Sequence, residues 1–371
     1  MPSQIERKYC TGVPCGRTLG GAKPRSGPTT RRLEVAVNHV VRRVLAMIPA
    51  LFGVVLCIFL LTRVLPGDPA RTLAGEQADP ATVEKIRVEM GLDQPLAAQF
   101  VSYVRDLFAG DLGFAWHTGQ PVLTDFASRL PATVELAVVA ILISLLVGVP
   151  IGVVSATRRD RPIDHASRIF SLVGASMPLF WLALLVIFVF YNKLGWEPAP
   201  LGRIAQDVNP PTSITGLYVF DSLLTGDVVA LKSSLAHIIW PAMCLATGST
   251  AIIARMTRSE MLEVINQDYV RTARSKGLPP AKVILKHALK NGAPVIVTVV
   301  GLQFGQLLGG AVITETVFSW PGIGQYVVQS VLATDYAPVQ AFTLIAAVVY
   351  LTVNLCVDLI NARLDPRIEN A

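Results

Sequence analysis

Six stretches of this chain contain no formally charged residue: 44–62, 136–157, 169–192, 235–254, 291–314 and 336–357. Each approaches or exceeds the roughly 20 apolar residues that a helix needs to cross a hydrocarbon core. Inside a bilayer every backbone N–H and C=O must find a partner within the protein, so such runs dictate helices. The fold expected is an all-α polytopic membrane protein with six transmembrane helices. The composition agrees: only 16% of the 371 residues are charged, against about 25% in a soluble domain. The first run is a poor cleaved signal. It follows a 43-residue tail, and Leu65-Pro-Gly-Asp comes after it instead of a small-residue cleavage site.

The basic residues orient the spans. The tail holds nine, the loop after the second span four, the loop after the fourth span eight and the C-terminus two. These 23 of 32 lysines and arginines lie on one side of the membrane. Cytoplasmic loops carry that excess, so both termini are expected in the cytoplasm. The net charge of +6 is thus a record of topology, and nucleic acid is not an expected partner. The expected divisions are a largely disordered tail (1–43), a first transmembrane helix (44–65), an extracytoplasmic helical loop region (66–131), the remaining spans (132–364) and a short C-terminus (365–371).

Within residues 66–131, Asp79-Pro80 opens a helix that Gly91 ends, and Gln94-Pro95 opens another that Gly110 ends. Leu96, Phe100, Tyr103, Val104, Leu107 and Phe108 share one face of the second. A short helix is expected near Tyr218. In span five, Gly301, Gly305 and Gly309 recur every fourth residue, as do Gly148 and Gly152 in span two. Such faces let a neighbouring backbone approach; a pore lined by bare backbone is the alternative. Cys57, Cys244 and Cys356 sit in apolar runs and are read as core residues. Cys10 and Cys15 lack the further ligands a zinc site needs, so no metal site is expected.

Enzyme signatures are missing from the sequence. It has no Gly-Lys dipeptide, hence no G-x4-G-K-[ST] phosphate loop, and no H-E-x-x-H or G-x-S-x-G. Arg63, Glu135, Arg255, Glu315 and Asp358 all fall near span ends, whereas ion-coupled carriers usually place ionisable groups deeper. Polar groups inside apolar spans are Gln303, Gln306 and Asn354. Interhelical hydrogen bonding and a place on a translocation pathway are both open for them. The segment from Glu315 to Gly324 reads as an external gate, a contact for a binding protein or a plain re-entry turn.

Residues 257–291 are too polar to span and too periodic for a linker. Met261, Leu262, Ile265, Tyr269 and Val270 form an apolar stripe, Gly277 breaks it, and Pro279-Pro280 starts a second helix expected to end near Asn291. Helix, tight turn and helix on the basic side suit docking to a partner, or an amphipathic helix on the membrane surface.

The run Tyr269-Val-Arg-Thr-Ala-Arg-Ser-Lys-Gly277, followed by His287-Ala-Leu-Lys-Asn291, resembles the EAA loop of ABC importer permeases. Arg271, Thr272 and Ala273 stand at its Glu-Ala-Ala positions and Gly277 matches. His287 replaces an isoleucine and Lys290 a proline, departures that resemble the dipeptide/oligopeptide branch. Arg63-Val-Leu-Pro-Gly-Asp-Pro69, Leu130-Pro-Ala-Thr-Val-Glu-Leu136, Ser176-Met-Pro-Leu-Phe-Trp181, Ile253-Ala-Arg-Met-Thr-Arg258 and Glu315-Thr-Val-Phe-Ser-Trp-Pro-Gly-Ile-Gly324 extend the likeness over about residues 40–367.

The resemblance implies a multi-pass subunit of the bacterial cytoplasmic membrane. It would be no enzyme and would bind no cofactor; ATP and Mg would sit on partner subunits. The expected partners are a homologous second permease, two ABC ATPases, an extracytoplasmic solute-binding protein, the lipid bilayer and a peptide substrate. The resemblance assigns residues 257–291 to a cytoplasmic coupling helix that docks an ATPase, with Tyr269, Arg271, Thr272, Ala273, Arg274, Gly277 and His287 as its site residues. Arg271 and Arg274 are matched to ATPase carboxylates or lipid phosphates. Similar permeases serve glutathione or nickel complexes. A proton-coupled peptide carrier and a pure scaffold subunit are the other classes that the sequence leaves open.

Overall fold

The computed structural model describes residues 28–64, 69–75, 78–196 and 198–364. Cys10, Cys15, part of the Arg63–Pro69 motif and the C-terminal segment 365–371 lie outside them. The regular structure of the described residues is helical apart from a two-stranded hairpin: β1 (Phe114–Ala115) pairs antiparallel with β2 (Gln120–Pro121). Five helices are long and apolar enough to span a membrane, and a bent pair makes a sixth. The long helices are α1 (Pro28–Val64), α5 (Val122–Thr157), α9 (Val228–Ile265), α12 (Lys290–Val317) and α14 (Tyr336–Leu364). Between α1 and the hairpin lie α2 (Pro69–Ala74), α3 (Pro80–Glu89) and α4 (Leu96–Phe108). The helix expected near Tyr218 is α8 (Tyr218–Thr225).

Several boundaries differ from expectation. The first helix is described from Pro28, so residues 28–43 of the tail, where disorder is expected up to about Thr30, are helical. Helix α5 starts at Val122 and carries Pro131 and Pro150 inside it; buried neighbours and local adjustments make proline tolerable in such helices. The third span is not one rod. α6 (Pro162–Ser176) meets α7 (Leu179–Val186) at a bend of 102°, and a π-helical turn (Ile187–Lys193) continues α7. Proline disfavours helical geometry in the residue before it, and Met177, before Pro178, is extended at φ −81° and ψ 124°. Cys57 and Cys356 are exposed on helix surfaces, and only Cys244 of the expected core thiols is buried.

The core is built on α5 against α9, joined by α12: Leu136, Ala140, Ile141, Ile238, Ala242, Leu245, Ile253, Leu307 and Trp320 pack together. Glycines set the closest approach. A Cβ on Gly152 would lie 2.6 Å from both the Ala254 carbonyl oxygen and Thr257 Cβ, and one on Gly148 would lie 3.1 Å from the Thr250 carbonyl oxygen. Gly301 and Gly305 face Val357 and Tyr350 of α14. Gly309, expected to share that face, has nothing within 4 Å of its Cβ position.

Away from the basic end, buried polar pairs clamp the loops. Arg203, in the 194–217 segment, reaches Glu135 of α5 at 2.6 Å and lies 3.7 Å over the Tyr218 ring. The aromatic face expected on α4 meets α1: Phe100 packs on Phe59 at 5.2 Å and Tyr103 stacks on it at 6.0 Å. Phe108, at the end of that face, is 89% exposed.

Candidate functional site

At the basic end, α9 carries the fourth span well beyond the apolar run and ends at Ile265. The stripe read as one helix is therefore split: Met261, Leu262 and Ile265 belong to α9, whereas Tyr269 and Val270 belong to α10 (Asp268–Ser275). The break has a local cause. Asn side chains compete for backbone partners, and Asn266 turns its amide back to the Leu262 carbonyl at 2.7 Å while Gln267 is extended. Gly277 then adopts φ +72°, the left-handed conformation that favours glycine at a helix C-terminus. Pro280 opens the next helix at α11 (Pro280–Lys282). That helix does not end near Asn291. It passes through a π-helical stretch (Val283–Leu289) into α12, making one span-length segment, Pro280–Val317.

The loop is held by its own small core. Val270 and Ala273 of α10 pack with Met261 and Val264 of α9, Val283 and Ala288 beyond the turn, and Ala156 of α5. Ala273 is only 7% exposed and packs into this core. The outward face of α10 presents Tyr269, Arg271, Thr272 and Arg274. Tyr269 is 43% exposed, and Gly277 lies exposed beyond the helix. His287 is half-buried in the π-helical stretch, and its backbone carbonyl accepts from the Asn291 side-chain amide at 2.8 Å. The result is an exposed, basic knob anchored by two apolar residues.

Of the polar residues considered for a pathway, only Gln303 and Gln306 are brought together. Gln303 is buried and donates to Gln306 at 3.1 Å. Both line a cleft of about 200 Å³ between the α6–α7 break, α9 and α12, with Met177, Leu179, Thr247 and Ser249. Every side chain lining it is uncharged. Asn354 lines a separate cleft of about 410 Å³ with Arg43, Thr298 and Asp358, on the α1–α12–α14 side. Glu315 sits at the far end of α12, fully buried. Its carboxyl accepts from the Thr133 hydroxyl at 2.5 Å and the Gln325 amide at 3.0 Å. Gly322 and Gly324 lie against the same carboxyl, leaving no room for a Cβ. Glu315 therefore fastens the turn between α12 and α13 (Ile323–Leu332) to α5.

That turn is held on its outer side as well. Tyr326 donates to Asp125 at 2.9 Å, and Thr118 donates to the same carboxylate at 2.6 Å. Burial, then Asp125, holds the Tyr326 phenol well above its ordinary pKa, so it remains a donor. The His117 ring and Asp335 approach to 3.0 Å beside it. No local sequence pattern marks this cluster, because its members come from the hairpin, α5, α13 and the segment after it.

Residues 148–370 match a family described as "Binding-protein-dependent transport system inner membrane component", and residues 36–137 match its N-terminal counterpart. The "Probable D,D-dipeptide transport system permease protein DdpB" of Escherichia coli (strain K12) is 48% identical over 316 residues, covering 85% of this chain and 93% of that protein. The "Dipeptide transport system permease protein DppB" of Alkalihalophilus pseudofirmus is 44% identical over 331 residues, 89% of this chain and 99% of that protein. The "Glutathione transport system permease protein GsiC" of Escherichia coli is 37% identical over 333 residues, 90% and 99% of the two chains. The chain belongs to the inner membrane components of binding-protein-dependent transport systems, as a multi-pass membrane protein.

Proposed function

We propose that this chain is one permease half of an ATP-driven importer of short peptides. It would pair with a second, homologous permease and enclose the uncharged Gln303–Gln306 cleft between them. Two ATPase subunits, which bind the ATP and Mg, would dock at the basic end, one of them on the outward face of α10. A solute-binding protein would deliver substrate at the opposite end, near the turn held by Glu315. The observation that carries this reading is the anchored knob: Val270 and Ala273 fix α10 to α9 and to the π-helical stretch that leads into α12, and Tyr269, Arg271, Thr272 and Arg274 are left exposed. The names of the relatives support the substrate class.

The basic-residue bias supports a cytoplasmic position for both termini and the knob. An external thiol reagent should reach a cysteine introduced at Ala78 and spare one at Pro280. Transport is tested by reconstituting the chain with its partner permease, ATPases and binding protein. Uptake of a labelled dipeptide should require ATP inside the ATPase-facing compartment. Uptake driven by a proton gradient without ATP would overturn the reading, and uptake of glutathione alone would move the substrate to that member of the peptide class.

A further inference from the structure

Helix α6 lies along α9 with few of its side chains fully buried. Of its fifteen residues, only Asp164 and Ser171 are buried. Asp164 is completely enclosed and meets Arg258 of α9 in a two-pronged ion pair, Nε to Oδ1 at 2.7 Å and Nη2 to Oδ2 at 2.8 Å. Ser155 of α5 donates to Oδ1 at 2.5 Å and the Asp160 amide to Oδ2 at 3.0 Å, so both carboxylate oxygens are satisfied. Arg258 stands one turn before Met261, which lies in the small core that holds α10. At the other end of α6, Gly174, Ala175 and Met177 line the cleft that contains Gln303 and Gln306. The third span then bends by 102°.

A continuous mechanical route follows. α10 is packed to the end of α9, α9 grips α6 through a planar fork, and α6 ends at the break beside the cleft. An arginine–carboxylate fork fixes orientation as well as distance, which a greasy contact on this exposed helix would not. We propose that Asp164 and Arg258 are positioning residues for transport: their ion pair passes displacement of α10 to the broken third span and so to the cleft. The proposal rests on the ATP-driven reading above and assigns the pair no contact with substrate or ATPase.

The test measures peptide moved per ATP hydrolysed in proteoliposomes holding the whole complex and loaded binding protein. Asp164→Asn removes the charge and keeps the shape; Arg258→Lys keeps the charge and removes the fork. Both complexes should retain their ATPase subunits and basal hydrolysis, while peptide per ATP falls about two- to thirtyfold, the range of coupling losses along such routes. A merely unstable complex would lose transport and hydrolysis together and leave the ratio unchanged. A wild-type ratio in the variants overturns the link alone. If Asp164→Asn does not assemble, the ratio in Arg258→Lys decides. Wild-type vesicles that move no peptide would overturn the ATP-driven reading, and the link with it.

Discussion

The Thr133 hydroxyl lies 2.5 Å from the carboxyl of Glu315 and also receives the Ile323 amide at 2.9 Å, so one side chain on α5 holds both the end of α12 and the start of α13. Both residues are buried, where an unpaired polar group is costly. Thr133→Val keeps the volume and strands two partners. It should lower the stability of the purified protein by about 1–3 kcal/mol, read as an earlier thermal transition. Thr133→Ser keeps the hydroxyl and should stay near wild type; equal losses in both would sink the argument.

The glycines predict a graded series. At Gly152 an added Cβ meets a backbone oxygen at 2.6 Å, which cannot swing away. Gly152→Ala should therefore cost about 1–3 kcal/mol, as overpacking does. At Gly305 the obstacle is the Tyr350 ring at 2.5 Å, and Tyr350 is 41% exposed and can turn aside, so Gly305→Ala should cost less. Gly309→Ala meets nothing and gains up to about 1 kcal/mol of helix propensity. Thermal unfolding of the three variants should rank in that order.

The spans, the basic end and the helices after Asp79 and Gln94 were legible because charge depletion and Gly/Pro punctuation are local signals. So was the turn after α10, through Gly277. The break at Met177-Pro178 was hidden inside an uninterrupted apolar run, although the proline that causes it was in view. Pro131 misled in the other sense, marking a boundary where a helix continues. Ala273 could not be assigned a side from spacing alone, since Asn266 and Gln267 reset the helical phase between α9 and α10. The pairs Thr133–Glu315, Asp164–Arg258 and Asp125–Tyr326 join residues far apart in the chain, and nothing in one sequence pairs them.

Asp221 in α8 offers a pH test outside the spans. Burial raises its pKa, but the Thr215 hydroxyl and the amides of Thr215, Ile214 and Gly216 outweigh it, and the net shift is downward. A carboxylate whose folded pKa is depressed contributes stability above its unfolded value, about 3.9, and loses it as pH falls through the folded value. Wild type should exceed Asp221→Asn in stability at neutral pH, and the gap should narrow below about pH 4. A gap independent of pH would show that packing, and not the charge, is what Asp221 contributes.

The two faces of α10 make opposite predictions for one substitution. Ala273 is buried against Met261 and Val283, so Ala273→Glu places a charge in an apolar pocket. Unpaired buried charge is strongly destabilising, and the whole turn should loosen, seen as new proteolytic cutting within 266–280. Thr272 is exposed on the opposite face and spends its hydroxyl on the Asp268 carbonyl at 2.9 Å. Thr272→Glu should leave the fold and the protease pattern intact, because surface substitutions usually stay within about 0.5 kcal/mol. If the outward face docks an ATPase, that mild variant should nonetheless lose co-purifying ATPase subunits, and Tyr269→Ala should do the same. Retention of the subunits by both, with the turn protected, would assign the knob to the membrane surface instead.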